Sequence, residues 1–117
     1  MKTENTIVTK SKAFALRIIK LYKYLYNKKR EFVLSKQIIR SGTSIGANVR
    51  EATRAQSMTD FISKMNIALK EAEETCYWLE LLQESEYLDE RAFNSLYNDC
   101  MELLKILASI VKTSRAA

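Results

Sequence analysis

The sequence predicts an all-α protein, an antiparallel up-down four-helix bundle. Three observations carry this. The 117 residues contain no proline and only two glycines, so almost nothing interrupts a helix. Apolar side chains recur at steps of three and four, the period of one helical face. The periodic stretches number four, and short connections between them favour antiparallel neighbours.

The first stretch places Phe14, Ile18, Leu21 and Leu25 on one line, with Ala15, Tyr22 and Tyr26 widening it, and predicts a helix from about Thr9 to Asn27. "NKKRE" makes a charged connection, after which Ser35 or the residue before it begins the second helix. That helix carries Leu34, Ile38, Ile45, Val49 and Ala52 on one arc and is expected to run to about Gln56. The third, from about Met58 to Ser85, has Phe61, Ile62, Met65, Leu69, Ala72, Cys76 and Leu79 on one side. "ESEYLDE" breaks the period, and Asp89 is suited to cap the fourth helix, whose seam is Phe93, Leu96, Cys100, Leu103, Leu107 and Ile110. The whole of 1–117 reads as a single domain, large enough to bury one core.

Both glycines lie in "SGTSIGANVREA", one helical turn apart at Gly42 and Gly46. Each costs a helix interior about 1 kcal/mol relative to alanine, so their spacing calls for a physical reason. On the helical wheel they border the apolar arc, where the loss of side-chain bulk lets a second helix come closer than the usual interaxial distance. That second helix can belong to the same subunit or to a neighbour. A phosphate loop is excluded, because Ala47 and Asn48 stand where lysine and serine or threonine are required. Beside the glycines runs a polar stripe, Gln37, Ser41, Ser44, Asn48 and Glu51. Bordering a core, such groups need partners across a helix interface; register-setting contacts between helices and a ligand or nucleic-acid site both satisfy that need.

Helix three is apolar on too many sides for a bundle of this size. Opposite Leu69 and Cys76 stand Ile67, Trp78, Leu81 and Leu82, with Tyr77 on the flank. Ile67, Tyr77, Trp78, Leu81 and Leu82 are therefore expected in a homo-oligomer interface, where aromatic anchors are favoured.

Charge is unevenly distributed. The net charge is +5, but residues 1–56 hold 13 Lys/Arg against 3 Asp/Glu and residues 57–117 hold 6 against 11. The halves can neutralise each other across helix interfaces, some of Glu71, Glu73, Glu74, Glu80 and Glu84 pairing with Arg17, Arg40, Arg50 or Arg54, or the basic half can meet a polyanion. The candidates for phosphate contact are Lys20, Lys23, Lys28, Lys29, Arg30, Lys36, Arg40, Arg50 and Arg54.

Catalysis is not expected. The chain has no histidine, the commonest general base and metal ligand. The acidic run "KEAEETCYWLE" lacks the Glu-x-x-His pairs of two-metal carboxylate bundles, and "SIVK", Ser109 to Lys112, has serine-lysine spacing without companion motifs. Cys76 and Cys100 lack the sequence spacing of a metal or redox motif and read as buried thiols. No cofactor or metal is expected. No apolar run is long enough to span a membrane, and the polar start carries no secretory signal, so the expected location is cytoplasmic.

"QIIRSGTSIGANVREA" followed by "FISKMNIALKEAEETCYWLELL" resembles the bacterial four-helix-bundle family whose founding members are encoded in intervening sequences of large-subunit ribosomal RNA genes. The signature positions are Gln37, Arg40, Ser41, Ser44, Ile45, Asn48, Glu51 and Ala52, then Glu71, Glu74, Tyr77, Trp78 and Leu79; at Ala52 many relatives carry glycine. The resemblance implies a left-handed antiparallel bundle assembled into a ring-like homo-oligomer, a pentamer, without catalysis. Related bundles are accessory proteins of diversity-generating retroelements that bind a reverse transcriptase and nucleic acid through a basic surface. The functional expectation is accordingly a non-enzymatic oligomer associated with RNA or DNA. A protein-interaction scaffold or accessory subunit without nucleic-acid binding is the alternative.

Overall fold

Four helices make up the computed structural model, which describes residues 2–117, with side chains from Asn5 onward. They are α1 (Lys2–Asn27), α2 (Leu34–Ala52), α3 (Met58–Glu84) and α4 (Glu90–Ala116). The bundle measures 46 × 21 × 19 Å, one helix long and two helices wide.

Cross-helix contacts fix the direction of every neighbour. Gly42 meets Ile18 and Gly46 meets Ser11; Arg40 reaches Glu71 and Glu74 while Glu51 pairs with Lys64. Cys100 lies on Ala72 and Tyr97 on Glu80, and Lys10 pairs with Glu102 while Arg17 pairs with Asp99. In each case one residue number rises as the other falls, so all four neighbouring pairs run antiparallel.

The core is a column of wholly buried Ile7, Ile18, Leu25, Ile38, Ile45, Val49, Met65, Leu79, Leu82, Leu103 and Leu107. Helix ends depart from the sequence reading for local reasons. α1 begins at Lys2, seven residues before Thr9, and Ile7 on this added stretch is completely buried. α2 stops at Ala52, short of Gln56. Its start has no serine or threonine cap: the Glu31 carboxylate, two residues before the N-cap position Val33, accepts from the backbone N–H groups of Val33, Leu34 and Ser35 at 3.2, 3.0 and 2.7 Å. Those donors have no intrahelical acceptor, and the helix dipole favours a negative charge there. Asp89 caps α4 as expected, accepting from Ala92 N at 2.8 Å, and Ser57 caps α3 through Asp60 N at 3.1 Å.

Two core assignments need correction. Tyr26 is an exposed side chain that meets the edge of Phe32, 4.8 Å between ring centroids, and does not widen the α1 stripe. Leu82, expected between subunits, is 0% exposed within its own chain; it belongs to the face of α3 that also buries Met65, Ala68, Ala72, Thr75 and Leu79.

Candidate nucleic-acid interface

The glycine pair is explained within one chain. An ideal Cβ on Gly42 would lie 2.8 Å from Ile18 Cγ1 and 2.9 Å from Cγ2; on Gly46 it would lie 3.4 Å from the Ser11 carbonyl oxygen. Gly42 thus lets α2 seat directly on α1, whereas a Cβ at Gly46 would make only an ordinary contact. Alongside this contact a shallow groove of about 340 Å³ opens between the helices, lined by Val8, Ser11, Lys12, Ala15, Thr43, Gly46, Ala47 and Arg50. Small residues on both walls leave it unfilled, and two cations stand among its lining residues.

These cations belong to rows. On α1, Lys12, Lys20 and Lys23 are exposed and fall within an 80° arc at 100° per residue, with exposed Leu16 among them. On α2, Lys36 and Arg50 are exposed within a similar arc, and Arg54 follows just past the helix end. Among the described residues, none of Lys12, Lys20, Lys23, Lys36, Arg50 and Arg54 has an acidic partner. At the α1–α2 turn, Lys28, Lys29 and Arg30 are exposed. Lys29 lies 5.9 Å from the Tyr24 ring centroid and Arg30 5.3 Å from that of Phe32, which holds charge beside flat aromatic faces. Lys12 was missed by the sequence reading. Its signal was the row it shares with Lys20 and Lys23 on the side of α1 away from the core.

Arg40 is used differently from the rest of the stripe. Its guanidinium bridges α2 to α3, reaching Glu71 Oε2 at 3.3 Å and pairing with Glu74. Glu74 in turn accepts from the Trp78 indole N–H at 3.0 Å. The hydrogen bond to Glu74 is the main reason the Arg40 pKa is raised. Arg17 also turns inward, to Asp99 at 2.6 Å and Ser95 Oγ at 2.9 Å on α4. Of the glutamates expected to take the basic half, Glu71 and Glu74 do so, while Glu80 accepts the Tyr97 hydroxyl.

The polar stripe divides. Ser41 shares a hydrogen bond with Thr75 across the α2–α3 interface, 2.9 Å apart, and Glu51 reaches Lys64 at 3.4 Å. Ser44 and Asn48 instead donate to carbonyls of their own helix, those of Arg40 and Ser44, at 2.6 and 2.8 Å. Gln37 points to solvent. Partners across an interface therefore exist for two of the five positions, because short polar side chains on a helix can satisfy themselves one turn back.

On the opposite side of the bundle, α3 leaves Tyr77 53% and Ile67 40% exposed. Trp78 is half-buried, packed partly on the core and tilted against Tyr77 with centroids 5.2 Å apart; Leu81 is half-buried as well. Among the described residues no helix is long and apolar enough to cross a membrane, and no three Cys, Asp or Glu side chains converge as a metal-ligand set.

These features define an antiparallel four-helix bundle with one unpaired basic flank and one partly apolar flank. The chain belongs to the 23S rRNA-intervening sequence protein family, whose model matches residues 3–109. It is similar to a crystal structure of a protein of unknown function from the S23 ribosomal protein family of Bacteroides thetaiotaomicron. The two share 58% identity over 94% of this chain and 98% of that one, with a TM-score of 0.93. No curated protein matches the chain.

Proposed function

We propose that this protein is a non-catalytic homo-oligomer of the cytoplasm that associates with RNA or DNA through the basic flank of α1 and α2. The observation that carries the reading is the sorting of cations: Arg17 and Arg40 are spent on carboxylates of neighbouring helices, while Lys12, Lys20, Lys23, Lys36, Arg50 and Arg54 stay exposed without acidic partners among the described residues. Exposed like charges along two parallel rows cost self-repulsion, which a phosphate backbone relieves while releasing its counterions. The groove beside Lys12 and Arg50 admits a backbone more closely than a side-chain-filled interface would. Self-association through Ile67, Tyr77, Trp78 and Leu81, in a closed ring such as a pentamer, would repeat the basic flank and multiply weak contacts.

Fluorescence anisotropy with a labelled structured RNA and a labelled DNA duplex, titrated at several salt concentrations, tests the reading. Binding that weakens steeply between low and physiological salt supports it. Absence of binding even at low salt would contradict it.

Arg40 favours a second reading, an interaction scaffold or accessory subunit, for example of a reverse transcriptase. In that case the remaining cations meet acidic side chains of another subunit or partner, as Arg40 meets Glu71 and Glu74.

A further inference from the structure

Cys76 and Cys100 are separated by 24 residues and sit on different helices, yet their sulfurs lie 3.2 Å apart at the α3–α4 contact. Their spacing in sequence hid this. A disulfide requires the sulfurs to close to about 2.05 Å, a movement of roughly one ångström. The two thiols are not equivalent. Cys100 is 0% exposed and donates to the Ala72 carbonyl oxygen at 3.3 Å. Cys76 is 6% exposed, nearer the surface, and its other close neighbour is Met101 Sδ at 3.8 Å.

We propose that Cys76 and Cys100 are a reversible dithiol–disulfide pair, oxidised by a hydroperoxide, whose disulfide locks α3 to α4. Cys76 is the attacking thiol. The hydrogen bond it shares with Cys100 pulls its pKa down, against the opposing effects of burial and of the nearby Glu80 and Glu73 charges. The same hydrogen bond, and then burial, push Cys100 up. The Cys76 thiolate attacks one peroxide oxygen; the S–O bond forms, the O–O bond breaks, and the departing hydroxide or alkoxide takes a proton. Cys100 sulfur then attacks the Cys76 sulfenic acid. The S–S bond forms, the S–O bond breaks, and the leaving hydroxide takes the Cys100 proton as water. Two electrons pass from the thiols to the peroxide, and a dithiol reductant returns them. Without such chemistry the pair would be two inert packing residues, which makes the distinction measurable.

The test treats the full-length protein with hydrogen peroxide, then labels residual thiols with a maleimide under denaturing conditions and maps peptides without reduction. The expected product has lost two hydrogens, carries no maleimide, yields a linked Cys76–Cys100 peptide, melts at a higher temperature and reverts with dithiothreitol. In Cys100→Ser, Cys76 is expected to stop at a sulfenic acid trapped by dimedone. Two labelled thiols after peroxide treatment, over-oxidation without a linked peptide, or disulfides between chains would each overturn the proposal. The wild-type map decides the question even if a serine variant fails to fold.

Discussion

Gly42 rests its bare α-carbon against the Ile18 side chain, and a methyl group there would stand 2.8 Å from Ile18 Cγ1. Ile18 is 0% exposed and branched at Cβ, with little freedom to retreat. Gly42→Ala is therefore expected to lower stability by about 1–2 kcal/mol, overpacking outweighing the gain in helix propensity. At Gly46 the added carbon makes an ordinary 3.4 Å contact with Ser11, so Gly46→Ala is expected to be neutral or to stabilise by up to about 1 kcal/mol. Thermal melts should show a lowered midpoint for Gly42→Ala and no lowering for Gly46→Ala. Equal destabilisation would mean that both glycines serve the same close approach.

Glu31 holds the start of α2 through three backbone N–H groups and is only 9% exposed. Glu31→Ala leaves those donors without the carboxylate and is expected to cost about 1–2 kcal/mol in denaturant unfolding. Glu31→Gln, which keeps an acceptor but loses the charge, should cost less. An unchanged midpoint for Glu31→Ala would show that solvent caps α2 equally well.

The Tyr97 hydroxyl donates to Glu80 Oε2 at 2.9 Å. That bond first, and burial second, raise the phenol from the usual 10 to about 12. The fold favours the protonated form, so this contribution to stability is complete below pH 10 and disappears as pH climbs through about 12. Ultraviolet titration should show a tyrosinate component with a midpoint near 12 that is missing in Tyr97→Phe. A titration identical in the two proteins would break the assignment.

Trp78 is the chain's single tryptophan, and its indole N–H is held by Glu74. Glu74→Ala should shift its emission and lower stability by about 1 kcal/mol through loss of the Arg40 pair, which is partly solvent-screened. The proposed assembly predicts more. Light scattering should show an oligomer at micromolar concentration, and Tyr77→Glu should dissociate it while leaving helical circular dichroism intact. A wild-type monomer would remove the role assigned to α3.

The helices were legible in the sequence because their apolar period is strong and proline is absent; Leu25, Leu79 and Leu107 fall in the core where the period places them. Helix ends were less legible. Among the described side chains of the extra turns of α1, Ile7 alone is fully buried, within a polar segment, and the Glu31 cap acts from outside the helix it serves. The partner of each glycine needed coordinates, since one-dimensional spacing marks a close approach without naming the neighbouring helix. So did the division of cations into paired and unpaired ones. Arg40 and Arg50 look alike in sequence, yet only Arg40 faces α3. The meeting of Cys76 with Cys100 depends on the relative register of α3 and α4, which no local pattern encodes.

The central claim is that the unpaired cations of α1 and α2 meet nucleic-acid phosphates. Its most direct test is the salt dependence of RNA affinity for the wild type and for the double variant Arg50→Glu, Arg54→Glu, with Arg40→Ala as the comparison. The account predicts that the double variant binds more weakly with a slope flatter by about two, whereas Arg40→Ala loses stability and keeps the wild-type slope. Equal slopes for the wild type and the double variant would contradict it.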